Sequence, residues 1–373
     1  MKLNDSQLEA PIIYDPAYEI FEPDEHDTEA GLIAALKEIA ETTFKHSGHA
    51  MRGVHVKSHG LLRGELEVLD GLPPTLAQGM FALPGKFPLV MRLSTTPGDI
   101  LDDKVSTPRG MAIKIVGAGK NGGPRLPGSE GDVTQDFVMV NGPAFSVPGA
   151  KQFLATLKLL AKTTDKAPKL KKALAAVLRG AEEILESAGK QSATLVALGG
   201  HPPTNPLGET YYSQVPILCG PYMAKVSVAP VSPNLQALKN ADVDLSGHPD
   251  GLRDAVCEFF QDNDAEWELR LQLCNDLDKM PIENAAVVWP EDRSPYITVA
   301  RILVPKQTAW SEARSLAIDD GMSFNPWHGL AAHRPIGSVM RVRKAAYAFS
   351  AAFRGEHNGI SMQEPGNLDN LPE

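Results

Sequence analysis

Apolar and polar residues alternate with two different periods along the chain, and the changes of period divide it into helical and strand-rich stretches. Residues 31–45 carry apolar side chains at the three- and four-residue spacing of an amphipathic helix. Residues 51–145 contain short apolar runs, rich in β-branched residues and bounded by Gly, Pro and Asp, which predict strands. Helical spacing returns over 149–198, strands are predicted over 211–305, and a last helix over 338–353. Strands spread between helices indicate an α+β domain that can contain a closed barrel.

The two ends of the chain differ from the part between them. Residues 1–30 contain several acids and prolines and are predicted to form an extended arm. Residues 31–350 hold the periodic stretches and are expected to form the main domain. Residues 311–330 are predicted to be a loop that leads into the last helix. Residues 351–373 are predicted to be a polar tail that frays.

The composition of the 373 residues, 43% hydrophobic and 22% charged, is that of a globular protein with a sizeable core. A run of about 18 apolar residues is absent, so no membrane span is expected. The N-terminus lacks the basic and apolar regions of a secretory signal, which makes a cytoplasmic location the expectation. The net charge of −10 disfavours a broad basic surface, so nucleic acid is not an expected partner.

Several common kinds of active site are unsupported by the sequence. The three cysteines, Cys219, Cys257 and Cys274, show no CxxC pairing, so we expect buried thiols rather than a zinc site or disulfides. HExxH is absent, which disfavours a conventional zinc hydrolase. GxSxG, a Walker loop, and a GxGxxG after a strand are absent too, which disfavours a serine hydrolase or a phosphate-binding loop.

Five segments hold unusual combinations of Arg, His, Ser, Asn and Tyr, and they follow one another in a fixed order. They are RGVHVKSHG (52–60), MRLSTTPG (91–98), STPRGMAIKI (106–115), VNGPAFS (140–146) and RKAAY (343–347). This series resembles the catalase family, which carries R-x-x-H-A-K-G, V-R-F-S-T, D-P-R-G-F-A-I-K, N-x-P-x-F and R-x-x-x-Y in the same order. The resemblance covers about residues 30–350. It implies an antiparallel catalase-type β-barrel with flanking helices and haem b in a pocket at the barrel.

The resemblance also implies catalytic roles for individual residues. His55 matches the distal histidine that acts as acid and base, and Ser94 the serine that orients its ring. Asn141 matches the distal asparagine that steers the peroxide. Tyr347 matches the tyrosinate that ligates the haem iron, with Arg343 as its guanidinium partner.

Further residues match cofactor contacts of the family. Arg52 and Arg92 correspond to arginines that bind the haem propionates, and Arg109 to the arginine of the third motif. Phe153 falls where a phenylalanine stacks on the distal face of the haem.

The chemistry explains why these residue types are needed. A phenolate ligand pushes electron density onto iron, but the reference pKa of tyrosine is about 10, so the anion must be stabilised. A nearby arginine lowers that pKa. R-x-x-x-Y on a helix places Arg343 and Tyr347 on one face, one turn apart. A neutral imidazole at His55 can accept a proton from a peroxide and return it.

The chain departs from the family after Tyr347, where catalases continue P-D-T-x-x-x-R-L-G-x-N and this sequence reads AFSAAFRGEHNG. The wrapping and C-terminal regions of full-length catalases are missing from the sequence. We therefore expect a haem peroxidase with weak catalase activity, acting on hydrogen peroxide or organic hydroperoxides with an unknown electron donor. A homodimer is the expected assembly.

Two other functions stay open at this point. One branch of the family rearranges fatty-acid hydroperoxides, but it carries a threonine immediately before the distal histidine, where this chain has Val54. Product analysis with such hydroperoxides distinguishes that activity from peroxidation. The other alternative is a barrel that has lost the cofactor and acts as a binding scaffold, which a haem absorption band would exclude.

Overall fold

The computed structural model describes residues 10–105, 107–120, 123–163 and 202–373. The predicted helical stretch 149–198 is therefore described only as far as residue 163, and its remainder lies outside the described residues. No helix in these four ranges is long and apolar enough to cross a membrane.

The strands lie where the period-two pattern predicts them. They are β1 (Ser58–Val68), β2 (Gly85–Thr95), β3 (Arg109–Val116), β4 (Thr134–Val140), β5 (Tyr211–Tyr212), β6 (Ile217–Cys219), β7 (Tyr222–Pro230), β8 (Ala265–Leu273) and β9 (Ile297–Val304). Within the described part of the chain, the antiparallel order β5-β4-β3-β2-β1-β9-β8-β7 closes through β5–β7 pairing into an eight-stranded barrel. Strand β6 pairs with β7 outside this closed ring. The predicted α+β fold with an antiparallel barrel is confirmed.

Helices flank the barrel. They are α1 (Glu25–Ser47), α2 (Ala150–Thr163), α3 (Pro233–Gln236), α4 (Gly251–Asp262), α5 (Glu312–Arg314) and α6 (Ser338–Asn358). Short 3₁₀ turns lie at Pro16–Tyr18, Gly79–Phe81, Ala118–Lys120, Pro206–Gly208 and Ala331–His333. Helix α1 ends at Gly48 and α6 at Gly359, both in the left-handed conformation that suits glycine at a helix C-terminus.

The alternation along β2, β3 and β4 separates an inner from an outer face of the barrel. In β2, Leu89, Met91 and Leu93 belong to the apolar cluster that fills the barrel. Because successive side chains of a strand point to opposite faces, Arg92 and Ser94 lie on the outer face. The same rule places Gly110 of β3 outside, directly opposite Ser94 in the ladder. The outer face of these strands therefore carries the polar residues that the motifs single out.

Two apolar clusters lie outside the core that fills the barrel. One joins helices α1, α2 and α6 through residues that include Leu36, Leu157 and Ala346. The other packs Val90 of β2 against the segment around Ile318 and Phe324 and against the C-terminal Leu368 and Leu371. The helix that carries Tyr347 thus packs against α1 and α2, in the cluster that also includes Val54 beside His55.

The structure differs from the expectations at three places. The arm expected over 1–30 is shorter, because α1 begins at Glu25. The loop expected over 311–330 contains α5 followed by a π-helix, Ser315–Asp320. The expected fraying of the tail is wrong, because α6 continues to Asn358 and burial of Leu368 and Leu371 anchors the chain beyond it.

The cysteines are placed largely as predicted. Cys219 and Cys274 are buried and Cys257 is half-buried, and all three are free thiols. Burial raises the pKa of the Cys219 thiol to about 12 and that of Cys274 to about 11. These two thiols therefore stay protonated at neutral pH.

Candidate functional site

Arg343 and Tyr347 form a hydrogen-bonded pair on α6. Arg343 Nη2 donates to Tyr347 Oη at 2.6 Å, and the guanidinium carbon lies 5.3 Å from the centre of the tyrosine ring. Both side chains are half-buried. The four-residue spacing thus produces the predicted contact between the phenol oxygen and a fixed positive charge.

A cleft lies between this part of α6 and β4. Its lining consists of Asp136, Phe137 and Val138 of β4, Ser213, Val215 and Ile217, Pro326 and His333, and Met340 and Arg343 of α6. The lining is mainly apolar, with Arg343 as the cation. Arg343 therefore both lines this cleft and donates a hydrogen bond to Tyr347.

His55 lies on the barrel wall, in the stretch that precedes β1. Its backbone has a φ of 56°, which is unusual for a residue other than glycine, and its N–H donates to the Thr96 carbonyl at 2.8 Å. The imidazole Nδ1 lies 3.1 Å from Ser94 Oγ. A Cβ atom on Gly110 would lie 2.5 Å from the same Nδ1. Glycine at position 110 therefore makes room for the ring, and Ser94 orients it.

The surroundings of His55 favour its neutral form. Burial, with smaller contributions from the charges of Arg92, Arg343 and Arg52, lowers the pKa of His55 from 6.5 to about 3. The ring is consequently unprotonated at neutral pH and can accept a proton.

Three arginines converge beside this wall, and we call Arg52, Arg92 and Arg354 the arginine cluster. Arg92 Nε donates to Asp319 Oδ1 at 2.6 Å, and Arg52 Nη1 lies 3.4 Å from the same oxygen. Arg52 and Arg354 each donate to the Asp319 carbonyl oxygen at 2.5 Å. Asp319 is thus the common acceptor of the cluster.

The second carboxylate oxygen of Asp319 is also held. Ser58 Oγ donates to Asp319 Oδ2 at 2.8 Å and Ser315 Oγ at 2.9 Å. Burial acts against ionisation of this carboxyl, but the charges of Arg92 and Arg52 outweigh it and lower the pKa of Asp319. Asp319 is therefore a carboxylate at neutral pH.

The sequence interpretation missed Arg354 and Asp319. Arg354 lies seven residues after Tyr347 on the same helix, which is the position of the arginine in the family's P-D-T-x-x-x-R stretch. Asn358 likewise falls at the position of the asparagine in that motif, so two positions of the stretch match. Asp319 had no local signal, because it lies 227 residues from Arg92 in the sequence.

Arg109 and Asn141 lie in a separate network with Glu209. Arg109 Nη1 donates to Glu209 Oε1 at 2.5 Å, and Asn141 Nδ2 donates to Glu209 Oε2 at 2.6 Å. The Arg109 backbone N–H donates to Asn141 Oδ1 at 2.8 Å. Arg109 therefore contacts Asn141 and Glu209 and does not join the arginine cluster, a placement that the sequence did not indicate.

Phe153 lies on α2, where it is half-buried. Its ring packs edge-on against Phe145, with ring centroids 5.1 Å apart. It also belongs to the apolar cluster that contains Val54 and Ala346. Phe153 thus lies near the residue before His55 and the residue before Tyr347.

Three other histidines in the described part of the chain have partners that fit a structural role. His59 is fully buried, with Nε2 3.3 Å from Thr95 Oγ1. His333 Nε2 accepts the Met80 N–H at 3.1 Å. His328 Nε2 lies 2.8 Å from Thr134 Oγ1.

Solved structures of catalases resemble this fold over most of the chain. A fungal catalase is 18% identical with a TM-score of 0.60, and the match covers 89% of this chain and 68% of the catalase. Catalase A from Saccharomyces cerevisiae is 16% identical with a TM-score of 0.55, and the match covers 99% of this chain and 75% of that protein. A bacterial catalase is 14% identical with a TM-score of 0.56, and the match covers 97% of this chain and 70% of that protein. No protein-family model and no curated protein sequence matches the chain.

Proposed function

Because the chain has the fold of the catalases, we propose that it is a haem-dependent enzyme that breaks down hydrogen peroxide or organic hydroperoxides. Tyr347 is the proposed axial ligand of the iron, and His55 the proposed acid and base. The observation that carries the proposal is the 2.6 Å hydrogen bond between Arg343 and Tyr347 on the helix that packs in one cluster with Val54 beside His55.

The residues present fit a haem in three respects. The phenol oxygen of Tyr347 accepts a hydrogen bond from a guanidinium, which suits an oxygen that is to ligate ferric iron. The space that a Cβ at Gly110 would fill is kept for the ring of His55. Among the described residues, Arg354 Nε is buried without a hydrogen-bond partner, so this donor is available to a carboxylate of the haem. Arg52, Arg92 and Arg354 are the proposed ligands of the haem carboxylates.

The protein's own side chains supply the proton chemistry. Haem b, when bound, supplies the redox-active iron that provides electrons for cleavage of the O–O bond. Since Ser94 holds Nδ1 of His55, Nε2 is the atom that takes a proton from one peroxide oxygen. The same atom returns it to the other oxygen, so that water leaves as the bond breaks. Burial keeps His55 neutral for this task.

Asn141 and Phe153 are proposed to shape the peroxide side of the pocket. The Asn141 amide is held in one orientation by Glu209 and by the Arg109 N–H, which suits a group that positions a small substrate. Arg109 is accordingly proposed to support Asn141 rather than to touch the cofactor. Phe153 supplies apolar surface beside Val54.

An absorption spectrum of protein purified with added haem tests the ligand. We expect a high-spin ferric spectrum that changes in Tyr347→Phe and is kept in Tyr18→Phe, a tyrosine of the N-terminal arm. Retention of the wild-type spectrum in Tyr347→Phe would overturn the assignment of the iron ligand.

The reaction is tested by measuring oxygen release and donor oxidation on addition of hydrogen peroxide. We expect donor oxidation to exceed oxygen release, as in a peroxidase with weak catalase activity. Haem-loaded protein that consumes no peroxide in either assay would overturn the proposed function.

A further inference from the structure

The donors of the arginine cluster are occupied mainly by one short segment of the chain. Arg52 Nη2 donates to the Ile318 carbonyl at 3.2 Å and to the Met322 carbonyl at 2.9 Å, in addition to its bonds with Asp319. Arg354 Nη2 lies 3.4 Å from the Met322 carbonyl. We call residues 318–322 the plug. Any other anion that binds the cluster competes with the plug for these donors.

The cluster holds more positive charge than the plug neutralises. Asp319 is the carboxylate bonded to the guanidinium groups, and Asp320, whose carboxylate lies 3.0 Å from His49 Nε2, adds a second negative charge that acts on Arg52 and Arg354. Three guanidinium charges thus face two carboxylates. Burial together with the charge of Arg92 lowers the pKa of Arg354 to about 10. Burial, and then the charges of Arg354 and Arg92, lower the pKa of Arg52 as well. Uncompensated positive charge in a buried site favours the binding of further carboxylates.

The backbone of the plug has a geometry suited to rearrangement. The π-helix Ser315–Asp320 overlaps the plug, and the Gly321 N–H donates to the Leu316 carbonyl at 3.1 Å, five residues back. Isolated π-turns are rare, and they occur frequently at functional sites. The C-terminal tail contacts the end of the plug, where Gln363 N–H lies 3.4 Å from the Gly321 carbonyl. Ile318 and Met322 at the two ends of the plug are buried in an apolar cluster. Asp319 between them is held by polar contacts that a competing anion can replace.

We propose that the plug is an internal substitute for the cofactor's carboxylates. In the cofactor-free chain Asp319 occupies the donors of the arginine cluster, and the two carboxylates of haem displace it when they bind. This inference rests on the proposed function, since it assumes that the cluster receives haem. It follows that the apparent affinity for haem is reduced by the fraction of molecules in which the plug is in place.

Titration of the cofactor-free full chain with haemin, followed by absorption, tests the plug. Asp319→Asn should bind haemin about tenfold more tightly than the wild type, because the competing charge is gone. Asp320→Asn is the matched control, since it removes an equal charge that acts on Arg52 and Arg354 but whose carboxylate is not bonded to the cluster. It should stay within about threefold of the wild type. Haemin dimethyl ester, which lacks free carboxylates, should bind Asp319→Asn and the wild type with affinities within about threefold of each other.

Hydrogen exchange of the wild type provides a measurement that does not depend on a variant folding. Haemin should speed exchange of the Gly321 amide, because its bond to Leu316 belongs to the displaced π-helix. Amides of α6 around Tyr347 should exchange more slowly in the same sample.

The outcomes separate the plug from the proposed function. Haemin binding that depends on Tyr347 but is equal or weaker in Asp319→Asn, with no change at Gly321, would overturn the plug and leave the haem proposal intact. An absence of haemin binding to the wild type would overturn both.

Discussion

The barrel wall around His55 and the arginine cluster both lie on the outer face of β2. The wall holds a neutral imidazole, whereas the cluster holds charged groups. Ser94 bonds to a neutral imidazole, and Arg92, two residues earlier, bonds to a carboxylate. The two regions are also coupled, because the charges of Arg92 and Arg52 contribute to the low pKa of His55. A cluster that is suited to holding anionic groups thus helps to keep His55, the proposed acid–base residue, unprotonated. Substitutions in the wall and in the cluster should therefore have different effects on activity and stability.

Removal of the acid–base group should have the largest effect. His55→Gln should lower kcat/KM for hydrogen peroxide by about 10²- to 10⁴-fold, the usual contribution of a positioned proton-transfer group. Haem content should not change, because the cluster and Tyr347 are intact. Stopped-flow peroxide consumption, normalised to the haem absorption band, measures this. A variant with wild-type kcat/KM would remove His55 from the mechanism.

The two arginine networks should respond differently to loss of an arginine. Arg109→Met leaves Glu209 largely buried without its guanidinium partner and should lower the free energy of unfolding by about 3–5 kcal/mol. Arg354→Met relieves repulsion with Arg92, so it should cost the cofactor-free protein less than about 1 kcal/mol. Urea unfolding of both variants measures the difference. Equal losses of stability would mean that the cluster holds no excess charge.

Crowding of the wall should have a smaller effect on stability. Gly110→Ala places a methyl group against the His55 ring and Ser94, and should lower the free energy of unfolding by about 1–3 kcal/mol. Gly142→Ala is the matched control, since its Cβ would meet Gln214 at an ordinary 3.6 Å. Thermal unfolding of the two variants checks the contrast, which would be absent if the His55 ring could move aside.

The smallest expected effect is that of pH. Since the pKa of His55 is about 3 in the folded chain and 6.5 for an unperturbed histidine, the ring stays neutral from pH 8 down to pH 5. The unfolded chain binds the proton first as pH falls, so this residue's contribution to stability decreases from pH 6.5 towards 3. We therefore expect kcat/KM to show no inflection near pH 6.5. An inflection there that disappears in His55→Gln would show that burial and the arginine charges do not lower the pKa of the ring.

Local spacing was enough to predict several parts of the site. The pair of Arg343 and Tyr347 follows from a four-residue separation on a helix. The common face of Arg92 and Ser94 follows from a two-residue separation on a strand. In both cases the geometry of the element sets the relation between side chains, whatever the rest of the chain does.

The charged partners could not be predicted in this way. Asp319 was assigned to a loop, and Glu209 stood in no motif, because a carboxylate carries no periodic signal of its own. Asn141 was expected to face the peroxide, and its tie to Glu209 emerged only from the packing of residues 68 positions apart.

The sequence by itself determined the α+β barrel, the order of its motifs and the residue types that can carry peroxide chemistry. Those properties depend on residue type, order and short-range periodicity, which are written directly in the chain. Tertiary structure alone decided that Arg52, Arg92 and Arg354 meet at Asp319. It also decided that Arg109 pairs with Glu209 and not with Asp319. The physical reason is that an ion pair depends on distance in space, and packing of the segment around Ile318 on β2 brings together residues that are more than 200 positions apart.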